Sequence, residues 1–163
     1  MGFGSWEWGV GIEEEEKKPH LSHRVFGFLG KRQVNKKDLE QRTKKFAVSV
    51  IGYVESMPKS RVADVVGRQL MRAGTSIGAN YREANRAESR ADFHHKIALS
   101  EKEASETLYW LELCQEAGVG DTEECASLLE ECDQLLAIFT AVGKSTKPEE
   151  SSRVRDAEPE FLS

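Results

Sequence analysis

Between residues 36 and 144, apolar side chains recur at the 3.6-residue period of an α-helix in four successive stretches, and nowhere does the chain alternate apolar and polar residues at period two. A chain patterned this way buries its apolar stripes by packing helix on helix, so the class is all-α. The first stretch starts at Asp38, placed as an N-cap, and runs to Met57, with Leu39, Thr43, Phe46, Val50, Tyr53, Val54 and Met57 on one face; Pro58 ends it. The second starts near Arg61 and aligns Val62, Val66, Leu70, Ala73, Ile77 and Ala84, with Asn80 in mid-stripe and no break before Asn85. The third opens on Ser89 with Asp92 three residues on, close to a capping box, and aligns Phe93, Ile97, Ala104, Leu108 and Leu111 before Gly118. The fourth has Asp121 and Glu124 as its box, aligns Cys125, Leu129, Cys132, Leu136 and Phe139, and closes at Gly143. Four such helices of about twenty residues with short connections form an antiparallel up-down-up-down bundle.

The flanks lack this period. Residues 1–35 carry "EEEEKK" at 13–18, scattered aromatics and one short apolar segment at Val25–Leu29, and are expected to be a poorly ordered extension. The tail 145–163 is Ser, Pro and charge and is expected to be disordered. The bundle is then a single domain, 36–144.

Several chemistries fall away on residue spacing. Cys114, Cys125 and Cys132 form no CxxC pair and have no histidine at metal-ligand spacing; Cys125 and Cys132, seven apart on one apolar helix face, read as small core residues, and the chain as reduced and cytoplasmic. Trp6 stands where a myristoylation signal needs Ser or Thr, and there is neither a secretory apolar segment nor a twenty-residue apolar run. No membrane partner is expected. His94 and His95 are adjacent and point about 100° apart on a helix, which prevents chelation of one metal. The glutamates of "EKEASE" lack the histidine of a di-iron motif. With no nucleophile–base pair, metal set or cofactor loop, the reading is a protein that acts by binding, without a catalytic residue or cofactor.

The stretch "AGTSIGANYREA", Ala73 to Ala84, holds two of the three glycines inside the second helix. Together Gly67, Gly74 and Gly78 cost about 2–3 kcal/mol relative to alanine, so some gain must offset them. A phosphate loop does not fit: no lysine follows the second glycine as a Walker loop requires, and no strand precedes Gly74. On a helical wheel Gly67, Gly74, Gly78 and Asn85 share one flank beside the apolar stripe, which predicts an unbroken helix closely approached by another, within the bundle or between subunits. Gly74 and Gly78 are accordingly candidates for an oligomer interface. Leu99, Trp110 and Leu113 join them, since they lie off the core stripe of the third helix and a lone bundle would leave them exposed.

Asn80, centred on an apolar stripe, needs a hydrogen-bond partner, and Glu83 or a facing backbone group is the candidate; the pair reads as a register-setting contact rather than a catalytic one.

Net charge is −5, which argues against a general nucleic-acid binder, but the average hides an asymmetry. Residues 36–86 hold 11 Lys and Arg against 5 Asp and Glu, whereas residues 87–147 hold 5 against 13. Arg68, Arg72, Arg82 and Arg86 fall in one sector of the second helix, with Lys44 and Lys45 on the first. Like charges four residues apart repel, so something negative should face them. The acidic helix pair of the same or a neighbouring subunit, through Glu103, Glu106 or the Glu130–Glu131 region, is one candidate. A nucleic-acid phosphate backbone is the other.

The run "LMRAGTSIGANYREANRAESRADFHHKIALSEKEASETLYWLELC" closely resembles the bacterial four-helix bundle proteins also called 23S rRNA-intervening sequence proteins. The resemblance covers about Lys36 to Lys144 and is specific in Ser76–Glu83 and in "EASETLYWLEL"; the amino-terminal extension lies outside it. It implies an antiparallel bundle assembling into a ring-like homopentamer. A related group, the accessory variability proteins of diversity-generating retroelements, is associated with nucleic acid and a reverse transcriptase. The partners implied are therefore further copies of the chain and RNA, DNA or a nucleoprotein such as a reverse transcriptase, with a protein scaffold that touches no nucleic acid as the rival reading.

Overall fold

The computed structural model describes residues 35–147, and among them there are four helices and no strand. They are α1 (Lys36–Ser56), α2 (Arg61–Ala84), α3 (Arg90–Ala117) and α4 (Thr122–Thr146). The extension and nearly all of the tail lie outside the described residues.

Each helix starts on a side chain that accepts a backbone N–H left unpaired in the first turn. Asn35 accepts from Lys37, Ser60 from Ala63, Ser89 from Asp92 and Asp121 from Glu124. The first cap is thus Asn35 rather than Asp38, which sits in the first turn, where its charge favours the positive end of the helix dipole. Helix α3 ends on Gly118 at φ 63, a left-handed cap suited to glycine. Helix α4 continues past Gly143 to Thr146, because the closely packed Gly143 is a buried interior residue, not a cap.

Contacts between helix ends define the topology. The Lys36 ammonium at the start of α1 donates to the Asn85 carbonyl at the end of α2, and Arg90 at the start of α3 donates to the Thr146 carbonyl at the end of α4. The pairs α1–α2 and α3–α4 are therefore antiparallel. Across the bundle, the Tyr53 hydroxyl near the end of α1 donates to the Val119 carbonyl just beyond α3, so these two helices run the same way.

The core is formed by Phe46, Val50 and Tyr53 of α1, Leu70, Ile77 and Tyr81 of α2, Ile97 and Leu111 of α3, and Leu135 and Phe139 of α4. Tyr81 meets Phe139 edge to face, with ring centroids 5.5 Å apart. The middle of α3 faces this core with small residues, Ser100, Ala104 and Thr107, whose hydroxyls are satisfied by backbone carbonyls: Ser100 donates to Ile77 at 3.3 Å and Thr107 to Glu103 at 2.7 Å.

Helix α2 is unbroken through its glycines, and its buried face is turned roughly 40° from the apolar stripe toward them. Ala63, Gly67, Leu70, Gly74, Ile77 and Tyr81 are buried, while Val62 is 56% exposed and Asn80 lies only half-buried at the edge facing α3. The close approach is to α1 of the same chain. A Cβ at Gly67 would lie 2.9 Å from a Val54 methyl, and one at Gly78 would lie 3.3 Å from the Thr43 hydroxyl. Of the two close approaches that the sequence left open, within the bundle or between subunits, the one within the bundle is seen at Gly74 and Gly78. Helices α3 and α4 are similarly rotated, with Leu108, Leu129 and Leu136 flanking cores centred on Thr107, Leu128 and Leu135.

Candidate nucleic-acid interface

Because the buried face of α2 is filled by glycine, alanine and a few large residues, its opposite face is free to carry cations along its length. Arg68, Arg72 and Arg82 project from that side and all are exposed. Arg86 is exposed too, but α2 ends at Ala84, and Arg86 occupies the following turn, its N–H donating to the Glu83 carbonyl at 2.9 Å. The four arginines therefore do not form one helical ridge, and the fourth extends the surface around the end of α2.

The arginines fall into two classes. Arg72 is tied to α3: one guanidinium nitrogen lies 3.8 Å from Glu103 and the other donates to Glu106. Glu106 also accepts from the Trp110 indole at 3.4 Å. Partial burial pushes the Glu106 carboxyl upward, but the hydrogen bonds from Arg72 and Trp110 outweigh it, so the group sits below its ordinary pKa. One oxygen of Glu103 is buried without a hydrogen-bond donor, which leaves Arg72 as its compensating charge. By contrast, among the described residues no carboxylate lies within 4.0 Å of Arg68, Arg82 or Arg86.

On α1 the cations divide in the same manner. Arg42 is spent on the seam with α4, where it binds Glu131 bidentately at 2.6 and 2.9 Å and reaches Gln134 at 2.6 Å. Lys44 and Lys45 are exposed and have no carboxylate within 4.0 Å among the described residues. They border a shallow recess with Gln41, Val48 and Ser49 on the outward side of α1. Since Thr43 lies against Gly78, Lys44 stands about one helical turn from the level of Arg82. The unpaired cations thus lie on the solvent-exposed faces of two neighbouring helices, α1 and α2.

The other sequence candidates lie elsewhere. Glu83 is exposed and accepts from Lys96 of α3 rather than from Asn80; the ion pair raises the Lys96 pKa, chiefly through that hydrogen bond. The proposed Asn80–Glu83 contact is corrected on this ground, since rotation of α2 removes Asn80 from the centre of the core. Leu99, Trp110 and Leu113 are each half-buried, and Trp110 packs against the core while its neighbour Tyr109 is 53% exposed. They do not form the bare strip that the helical wheel suggests. The large apolar residues that are exposed include Val48, Ile51, Val62 and Val65, on α1 and the start of α2. Val48 lies opposite the Leu39–Met57 stripe, a signal readable from spacing alone. The Arg42 tether carries no such signal, because a partner 89 residues away has no local period.

Among the described residues no group of three His, Cys, Asp or Glu side chains is placed to hold a metal ion, and no helix is long and apolar enough to cross a membrane. His94 instead lies 3.3 Å from the Thr146 hydroxyl.

The four-helix body coincides with a known family. The model of the 23S rRNA-intervening sequence protein matches residues 35–141, nearly all of the helical body. The chain belongs to that family. A crystal structure from the S23 ribosomal protein family, a protein of unknown function from Bacteroides thetaiotaomicron, is similar at 34% identity with a TM-score of 0.60, over 65% of this chain and 98% of that one. No curated protein matches the chain. The resemblance noted in the helical segments is therefore a family membership, and the residues shared with the crystallised relative span essentially that protein's whole length.

Proposed function

We propose that this family member is a non-enzymatic, homo-oligomeric bundle, a pentamer on the family resemblance, that holds RNA or an RNA/DNA hybrid through the cations of α1 and α2. The observation that carries the reading is the division among the arginines: Arg72 is neutralised by α3, while Arg68, Arg82 and Arg86 are exposed with no carboxylate within 4.0 Å among the described residues. A structural role would have used them as it used Arg72 and Arg42. Exposed, unpaired cations on α2, together with Lys44 and Lys45 on α1, suit a phosphate backbone, whose condensed counterions they would release. The family name ties such proteins to an intervening sequence of 23S rRNA, which makes RNA the first ligand to test.

The exposed Val48, Ile51, Val62 and Val65 favour a second reading, a protein scaffold in the cytoplasm without nucleic acid. One experiment separates the two. Binding of labelled RNA and DNA is measured across a salt series for the wild type and for a triple variant, Arg68→Ala, Arg82→Ala and Arg86→Ala; Arg72 is left in place because it supports α3. A phosphate reader loses affinity steeply with salt, and each arginine removed flattens the slope by about 0.7–0.9. No binding by the wild type at low salt, or dissociation of the oligomer in the triple variant, gives the scaffold reading instead.

A further inference from the structure

The cationic side of the bundle has a candidate occupant within the same chain. Ahead of α1, the stretch Trp6–Glu16 reads WEWGVGIEEEE, in which two indoles and aliphatic residues precede four consecutive glutamates. On the outward side of α1, Lys44 and Lys45 border a recess that also contains Val48, which is 60% exposed, and Ile51 is 40% exposed one turn further on. Apolar side chains beside lysines on one surface match apolar side chains followed by glutamates on the other. Charge complementarity alone would suit any acidic segment; the adjoining exposed valine and isoleucine make the match two-part.

Chain length permits the contact. Nineteen residues, 17–35, separate Glu16 from Lys36. A chain of nineteen residues can reach on the order of 60 Å when fully extended. Lys44 lies about 12 Å along α1 from Lys36 at the helical rise. A tether of this length holds the segment at about millimolar effective concentration, enough for an individually weak contact to compete with an external ligand.

We infer that Trp6–Glu16 docks on the Lys44–Lys45 side of its own bundle and competes there with nucleic-acid phosphate. The inference rests on the reading of that side as the nucleic-acid surface, and it adds a built-in competitor. The acidic segment screens the cations from weak, non-specific polyanions, and a ligand that engages Arg68, Arg82 and Arg86 as well displaces it.

The test uses the full chain and a variant in which Glu13, Glu14, Glu15 and Glu16 are all changed to Gln. Zero-length carbodiimide coupling at low salt, followed by peptide mass spectrometry, should join Glu13–Glu16 to Lys44 or Lys45 in the wild type. The cross-link should vanish in the variant and in high salt. Affinity for a labelled 20-nucleotide RNA should rise about two- to sixfold in the variant, the gain expected when a millimolar intramolecular competitor of millimolar affinity is removed. Wild-type coupling confined to Lys17 and Lys18 overturns the inference whatever the RNA result. Cross-links that join isotopically heavy to light chains in a mixed sample overturn its intrachain form. Cross-links present while neither protein binds RNA or DNA support the docking and overturn the nucleic-acid reading, so the two failures are distinguishable.

Discussion

Gly74 of α2 sits directly against Val50 of α1: a Cβ at Gly74 would lie 3.0 and 3.1 Å from the two Val50 methyls, and Val50 is fully buried. In a close-packed core a buried valine has little room to turn. Gly74→Ala therefore gains about 0.5–1 kcal/mol in helix propensity but must separate two packed helices, which costs about 1–3 kcal/mol. A net loss of about 1–2 kcal/mol is expected in urea unfolding. Gly52, also inside a helix, has nothing within 4 Å of its Cβ position, and Gly52→Ala should stabilise by about 0.5–1 kcal/mol. Equal effects at the two sites would contradict the seam.

Gly120 answers to two constraints at once. Its φ of 88 is unfavourable for any side chain, and a Cβ there would lie 2.7 Å from the Tyr53 hydroxyl. That hydroxyl donates to the Val119 carbonyl at 2.7 Å and fastens the α3–α4 turn to α1. Gly120→Ala should cost about 2–4 kcal/mol from strain and overpacking together. Tyr53→Phe keeps the ring and loses the bond, for about 1–2 kcal/mol. Calorimetric melting of both variants, with loss of near-ultraviolet dichroism tracking the α3–α4 turn, checks the pair.

Much of this bundle could be read from residue order because its caps and periods are local. Ser89, Asp121 and Gly118 act within one turn of themselves, and Asn85 falls on the glycine flank, where it donates to Glu40 of α1 at 2.6 Å. The errors have a common cause. A stripe of large apolar side chains does not mark the buried face here: α2 buries Gly67, Gly74 and Ala63 in preference to Val62, and α3 buries Ser100 and Thr107 ahead of Leu99 and Leu113. Where helices must come close, small residues occupy the contact and large ones flank it. The cationic surface was visible as a charge excess, but the division between Arg72 and its neighbours depends on Glu103 and Glu106 of α3, which only packing brings alongside.

Acid should weaken the α2–α3 contact before the core fails. Glu106 has a depressed pKa in the folded state, so its contribution is complete above the unfolded carboxylate value of about 4.3 and is lost as pH falls through the lower folded value. Arg72 is more than half exposed, and screening limits the contribution to a few tenths of a kcal/mol. Stability measured between pH 6 and 3 should decline less steeply in Glu106→Gln than in the wild type. Parallel declines would mean that Arg72 is not held by Glu106.

The three cysteines provide a probe of the whole core. Cys114, Cys125 and Cys132 are all buried, and the Cys132 thiol donates to the Ala104 carbonyl across the α3–α4 seam at 3.4 Å. Burial, with Asp133 and Glu131 nearby, pushes the Cys132 pKa up to about 12. The sign follows from where the proton resides. Above pH about 8.5 the unfolded thiol ionises while the folded one does not, so this group's contribution is intact below that value and erodes as pH rises toward about 12. Cys132→Ala should therefore flatten the alkaline decline of stability, at a cost of about 1 kcal/mol for the lost sulfur. At pH 8 a thiol-specific disulfide reagent should find no reactive cysteine in the native protein and all three in guanidinium, with the native reaction limited by global opening. Rapid labelling of Cys132 in the folded state would show that α3 and α4 separate without the rest of the bundle, and the seam through Ala104 would then not belong to the cooperative core.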